Sequence, residues 1–172
     1  MSPVERIREL LAPLSGDEDS YLRVQVGDDP ERSPAELLYG VVFDPSFNRG
    51  SQQYLRPRTV EEFARALQPV QVTESQMSSF LAYLCTRELS YHAKCGPWGL
   101  EAARTVVGSV IDQLLPGVQW WSNVEYSAQA WEEGDFLYES FLRAPVTGHV
   151  FDCAVVGIGS EATVVFLSYA ND

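Results

Sequence analysis

Residues 150–169, VFDCAVVGIGSEATVVFLSY, decide the fold class of this 172-residue chain. Two runs rich in β-branched and aromatic residues, 150–158 and 163–169, flank the short turn sequence GSEA at 159–162, a pattern typical of a β-hairpin. Because both runs are almost continuously apolar, we expect them to be central strands of a sheet that is covered on both faces.

Four helices are predicted before this hairpin, one at the N-terminus and three in the middle of the chain. A Ser or Thr followed three residues later by Glu or Gln, the capping-box spacing, starts three of them: Ser2–Glu5, Thr59–Glu62 and Thr73–Gln76. The fourth starts at Gly96-Pro97 and runs to Leu115. Apolar residues recur at helical spacing along each segment, so each helix has one face for the core.

Further strands are predicted at residues 21–26, 37–43, 118–126 and 136–142, and the first two are expected to pair. Residues 44–58 are polar, contain two prolines and predict a long loop. The helices lie in the middle of the chain and the strands lie at its end, so we expect residues 1–172 to form a single α+β domain. Its sheet should be mainly antiparallel and formed largely by the C-terminal third of the chain.

The chain is strongly acidic, with 24 acidic residues, 12 basic residues and a net charge of −12. This charge repels phosphate backbones and anionic lipids, which argues against nucleic acid or a membrane as partner and favours a basic protein. The alternative is that the acids only keep the protein soluble. Among the 12 basic residues only Lys94 is a lysine, a bias that indicates a GC-rich bacterial genome.

Cysteine usage and the N-terminal sequence predict a cytoplasmic protein. Cys85, Cys95 and Cys153 lack the number and spacing of a disulfide framework or a structural zinc site, so reduced thiols are expected. The N-terminus has no apolar core of the signal-peptide type, and no run approaches the ~18 apolar residues that span a bilayer. With only two histidines and no phosphate-binding or metalloprotease motif, we expect no cofactor or metal.

Aromatic and acidic side chains crowd together in the region 118–142. We predict a partner-binding face made of seven of them: Trp120, Trp121, Glu125, Trp131, Glu132, Glu133 and Asp135. Either Trp120 or Trp121 should be exposed, because adjacent strand residues point to opposite faces; the alternative is that the tryptophans belong to the core. Such a face suits Arg and Lys side chains, so the leading hypothesis is a non-enzymatic inhibitor or immunity-type protein.

The stretch 91–99, YHAKCGPWG, suggests a different function. Cys95 precedes the predicted helix, and a helix N-terminus with Lys94 beside it would lower the pKa of the thiol. A thiolate nucleophile needs a base, for which His149 is the candidate, and Glu161 could orient its imidazole. The alternative is that Cys95 is a structural residue and His149 a surface residue at the end of a strand.

The order Cys95, Gly134-Asp135, His149, Glu161 resembles the NlpC/P60 group of papain-like cysteine peptidases and amidases. In that family a Cys opens a helix, a Gly-Asp pair precedes a strand, a His begins the next strand, and a polar residue follows. The resemblance covers residues 95–161 and departs from the usual Asp-Cys-Ser-Gly motif, since this chain has KCGP at 94–97. It implies, as the alternative function, hydrolysis of a peptide or amide bond with Cys95 as nucleophile and His149 as base.

Overall fold

A computed structural model describes residues 1–16, 21–50, 57–137, 139 and 141–170. Five strands form its central sheet: β1 Leu22–Gly27, β2 Gln68–Val70, β3 Gln119–Ser122, β6 Phe151–Ile158 and β7 Thr163–Ala170. All their pairings are antiparallel, and the order across the sheet is β1-β7-β6-β3-β2. A separate ribbon pairs β4 (Val124–Glu125) with β5 (Leu142–Arg143).

The predicted hairpin is confirmed as β6 and β7, with Phe151 opposite Ala170 and Ile158 opposite Thr163. Each strand has a neighbour on its other side, β3 for β6 and β1 for β7. Nearly every residue of the two strands is buried, as the continuous apolar pattern predicts. The α+β class, and a sheet built largely from the C-terminal third, are therefore confirmed.

Six α-helices are present in the described part of the chain: α1 Pro3–Leu11, α2 Pro34–Val42, α3 Val60–Ala66, α4 Glu74–Thr86, α5 Leu100–Leu114 and α6 Ala128–Glu133. A 3-10 turn, Ala12–Gly16, follows α1. The capping boxes that begin with Ser2 and Thr73 are confirmed. At α3 only half of the box forms, because the Glu62 carboxylate accepts the backbone N–H of Arg58 instead of that of Thr59.

Two hydrophobic clusters occupy the two faces of the sheet. Helices α1, α4, α5 and α6 cover the first face, toward which Cys153 and Val155 of β6 point. Helices α2 and α3 cover the second face, toward which Ala154 and Val156 point. Alternate residues of one strand thus serve opposite clusters, as the period of two in a strand requires.

The prediction of a strand at residues 37–43 is wrong, because this segment belongs to α2. The Ser33 hydroxyl accepts the N–H of Glu36 at 3.1 Å and Pro34 lies in the first turn, which is a helix start. The buried residues have the helical spacing: Ala35, Leu37, Leu38, Val41 and Val42. Strand β1 therefore pairs with β7 and not with this segment.

The strand predicted at 118–126 is divided at Asn123 into β3 and β4. Of the strand predicted at 136–142, only Leu142 lies in a strand among the described residues. Phe136 is buried in the first cluster instead, and residues 138 and 140 lie outside the described part. The sequence does not predict α6 or β2. Residues 51–56 of the predicted loop at 44–58 also lie outside it, while Gly50 bridges to Gly148.

Candidate functional site

The segment that carries Cys95 is folded back onto the end of α4. The backbone N–H of Cys95 donates to the Thr86 carbonyl at 2.9 Å, and the N–H of Glu88 donates to the Ala93 carbonyl at 3.0 Å. Arg87 and Lys94 form an antiparallel bridge between these two hydrogen bonds. Thus Cys95 lies on a short hairpin-like return and not on a free loop.

The carboxylate of Glu88 organises the tip of this return. It is buried and accepts the backbone N–H groups of Ser90, Tyr91 and Ala93, together with the Ser90 hydroxyl. Burial raises the pKa of Glu88 but the hydrogen bonds lower it, and the hydrogen bonds prevail, so the pKa lies below its usual value. The ionised carboxylate therefore acts as the internal cap of the loop.

Gly96 brings the return into close contact with α4. Its φ of +78° lies in the left-handed region, and a Cβ at this position would be 2.3 Å from the carbonyl oxygen of Cys85. Only glycine meets both requirements without displacing the backbone. This contact fixes the position of Cys95, whose side chain is half-buried.

Cys95 lines a cleft of about 490 Å³ between α4, the 87–100 segment and the turn at 134–137. Its walls include two cationic residues and four large apolar or aromatic ones: Arg87, Lys94, Tyr83, Trp98, Phe136 and Leu137. Asp135 lines the opposite rim. The structure thereby brings together Cys95 and Asp135, which both belong to the NlpC/P60 resemblance, while Asp135 is also part of the predicted partner-binding face.

Cys95 does not lie at the start of a helix, contrary to the prediction. Helix α5 begins at Leu100 with Gly99 as its N-cap, so the residues from Gly96 to Trp98 separate Cys95 from the cap. The influence of a helix terminus fades within about one turn. The proposed activation of the Cys95 thiol by the helix dipole therefore loses its geometric basis.

His149 is buried at the end of the sheet. The alternative prediction, which placed this residue on the surface, is wrong. The His149 ring lies against Phe47 and Tyr169, with centroids 5.9 and 4.8 Å apart, and its Nε2 is 2.7 Å from the carbonyl oxygen of Asn48. These two aromatic residues belong to the second face of the sheet, whereas Tyr83 and Phe136 beside Cys95 belong to the first. Cys95 and His149 are therefore on opposite sides of the sheet.

Glu161 is also distant from His149. It is exposed in the turn between β6 and β7, whereas His149 precedes β6 at the other end of the strand. Eight residues of strand separate the two ends, a length of about 26 Å at ~3.3 Å per residue. The structure does not assemble the predicted arrangement of Cys95, His149 and Glu161, and so corrects it.

A buried polar cluster holds the segment before β6 in place. Asp152 is fully buried and accepts hydrogen bonds from Asn123 Nδ2 at 2.8 Å and from the N–H and hydroxyl of Thr147 at 2.9 and 2.7 Å. The guanidinium of Arg143 lies 3.2 Å from the same carboxylate. Asp152 is not among the predicted site residues, although a lone carboxylate inside an apolar strand was the available signal.

Five carboxylates lie between residues 125 and 139 of the sequence, and we call this set the acidic face: Glu125, Glu132, Glu133, Asp135 and Glu139. All five are exposed, and residues 119–142 contain no Lys, Arg or His. The ion pairs in the described part of the chain involve none of these five. The predicted acids of the partner-binding face are therefore accessible and without an internal counter-ion.

The predicted tryptophans behave differently from the acids. Trp120 is 7% exposed and belongs to the core on the first face, while Trp121 is half-buried against the cluster on the second face. Adjacent residues do point to opposite faces, but helices cover both, so the expectation that one of the two is exposed is wrong. Only Trp131 among the three lies beside the acidic face, and it is half-buried.

A second cleft, of about 640 Å³, lies next to the acidic face. Its lining includes Trp131, Glu125, Leu142 and Arg143, together with residues 65, 66 and 68–72, among which Arg65 is exposed. Leu142 is opposite Glu125 in the ribbon and is 73% exposed. An accessible apolar side chain therefore adjoins a carboxylate that takes part in none of the ion pairs among the described residues.

No helix in the described ranges combines the length and the apolar character needed to cross a membrane. Comparisons with protein-family models, with curated proteins and with solved structures find no match to this chain.

Proposed function

We propose that this protein is a non-catalytic binding protein that associates with a basic protein through the acidic face, in the manner of a bacterial inhibitor or immunity protein. The observation that carries the proposal is the set of five exposed carboxylates, none of which is in an ion pair in the described part of the chain. Carboxylates without an internal counter-ion attract the cations of another molecule and accelerate its association.

The second cleft supports the proposal by offering apolar contact beside the charges. Trp131 presents part of its ring there, and Leu142 projects next to Glu125. A guanidinium can lie over an indole ring while a nearby carboxylate accepts its hydrogen bonds. Interfaces depend on a few such anchors surrounded by polar residues.

Helix α6, which carries Glu132 and Glu133 of the acidic face, is anchored to the core, which favours binding. Trp131 of α6 lies with its ring centroid 5.0 Å from that of Phe80 and 5.1 Å from that of Phe136. Ser127 caps α6 through the N–H of Ala130 at 3.2 Å, and the helix ends at Gly134 in the left-handed conformation. A surface ordered before binding loses less conformational entropy on association.

The experiment compares two triple variants with the same change in net charge. In the first, Glu132, Glu133 and Asp135 of the acidic face are replaced by Lys. In the matched control, three other exposed acids are replaced by Lys: Glu31, Asp112 and Glu161. Association with a fluorescent nona-arginine peptide is followed by stopped-flow anisotropy over a series of salt concentrations.

We expect the acidic-face variant to associate more slowly with the peptide and to show a shallower dependence on salt, because the charges that steer the peptide have been reversed. The control variant should remain close to the unmodified protein, apart from the smaller effect of its net charge. Equal loss in both variants would contradict the proposal. It would favour the simpler explanation that the acids act only through net charge and solubility.

A further inference from the structure

We propose that the cleft beside Cys95 binds a small planar molecule that carries an anionic group. This binding site shares Asp135 with the acidic face but goes beyond the function proposed above. Its volume of about 490 Å³ lies within the range of small-molecule sites, which are concave and mostly apolar with a few polar groups. The half-buried side chains of Trp98 and Leu137 offer contact to a flat apolar body.

The charges around the cleft select an anion. Arg87 and Lys94 both line it, and neither forms an ion pair in the described part of the chain. One guanidinium nitrogen of Arg87 donates to the His92 carbonyl at 2.9 Å, which anchors this cation at the wall. Asp135 is the only carboxylate among the lining residues that the structure describes. The described lining residues therefore carry two positive charges and one negative charge, in a chain whose net charge is −12.

The cleft is formed before any ligand enters. The hydrogen bond from Cys95 to Thr86 and the close approach of Gly96 to Cys85 fix one wall. The other wall is anchored where α6 ends at Gly134 and the Asp135 carboxylate accepts the N–H of Leu137 at 3.1 Å. A site with rigid walls requires little reorganisation on binding, which favours a small ligand.

Cys95 offers a direct measurement of the local charge. It is half-buried in the cleft, whereas Cys85 and Cys153 are each only 1% exposed, so labelling of the folded protein should occur at Cys95. The probes are two methanethiosulfonates of similar size, one carrying a sulfonate and the other a trimethylammonium group. Each reagent's rate with Cys95 is divided by its rate with a free thiol. At about 10 mM ionic strength, where screening is weak, we expect this ratio to be larger for the anionic reagent by a factor of about 3 or more.

The charge variant Lys94→Glu should reverse this preference, because it changes the charge at the rim by two units. The matched control is Arg58→Glu, which makes the same change in net charge at an exposed position before α3, on the other face of the sheet. The control should retain the preference for the anionic reagent. The net charge of the protein alone would make the cationic reagent react faster. If the unmodified protein shows that result, the proposed anion site is refuted.

Ligand binding is tested with 8-anilino-1-naphthalenesulfonate, a fluorescent aromatic sulfonate. The variant Gly99→Leu places a side chain at the cleft, where a Cβ on Gly99 meets no atom within 4 Å. Gly40→Leu is the control, because its Cβ is equally unobstructed but lies in α2 outside the cleft. We expect saturable binding of the sulfonate, and we expect the bound sulfonate to protect Cys95 from alkylation. Gly99→Leu should weaken this binding at least about tenfold, whereas Gly40→Leu should leave it unchanged. Absence of binding, or equal binding by both variants, refutes the proposal.

Discussion

The substitution Gly157→Ala tests whether Trp120 is a core residue and not a contact for a partner. Gly157 lies in β6 directly opposite Trp120 of β3, and its other neighbour across the sheet is Val164 of β7. A Cβ at position 157 would lie 2.4 Å from Cζ3 and 2.8 Å from Cε3 of the indole. Carbon atoms in van der Waals contact are about 3.5–4.0 Å apart. The ring or the strand must therefore move by roughly 1 Å.

Both movements are restrained, because β6 is held by strands on both sides and the indole is 7% exposed. Overpacking of a core costs about 1–3 kcal/mol. The change from Gly to Ala also reduces the entropy of the unfolded chain, which returns about 0.4–1 kcal/mol. We expect a net loss of about 1–2 kcal/mol in the free energy of unfolding, measured by urea titration with circular dichroism. The control Gly40→Ala, in a helix with open space, should stabilise by about 0.5–1 kcal/mol.

A double-mutant cycle with Trp120→Leu isolates the contact. Leu removes the ring atoms that the new Cβ would meet, so Gly157→Ala should cost about 1 kcal/mol less in the Trp120→Leu background than in the unmodified protein. An equal cost in both backgrounds would show that the indole does not pack on Gly157. Trp120 would then return to the set of residues available to a partner.

Two further predictions concern buried ionisable groups. Asp152→Ala leaves Arg143 without its buried counter-ion and should lower the free energy of unfolding by about 3–5 kcal/mol in urea titrations. The exposed control Asp112→Ala should change this free energy by no more than about 0.5 kcal/mol. Equal effects of the two substitutions would contradict the buried pair. Burial raises the pKa of Cys85 to about 12, so its contribution to stability is complete below the thiol pKa of the unfolded chain, about 8.5, and is lost as the pH rises toward 12. Cys85→Ala should therefore make the alkaline decline of the urea midpoint shallower, and an unchanged slope would refute this assignment.

Features that depend on a few neighbouring residues could be predicted from the sequence. The capping boxes at Ser2 and Thr73 form as expected, because a hydroxyl and a carboxyl or amide group three residues apart meet within one helical turn. The hairpin at 150–169 follows from composition and turn length, both local properties. The segment 37–43 shows the limit of such reasoning, since a short apolar run rich in valine fits a buried strand as well as a helix.

The candidate site depends on contacts that local patterns do not contain. Residues 91–99 form only one wall of the cleft, and the turn at 134–137, about 40 residues later, supplies the other. His149 and Glu161 are close in sequence but are separated by the full length of β6.

The sequence by itself determined the acidic charge, the α+β class and the accessible carboxylates at Glu125, Glu132, Glu133 and Asp135, because charge and chain-local geometry do not depend on the rest of the fold. Only the tertiary structure decided that Trp120 is buried and that Cys95 and His149 lie on opposite sides of the sheet. The physical reason is that burial and proximity are set by which helix covers which face. That choice is made by packing between segments distant in the chain.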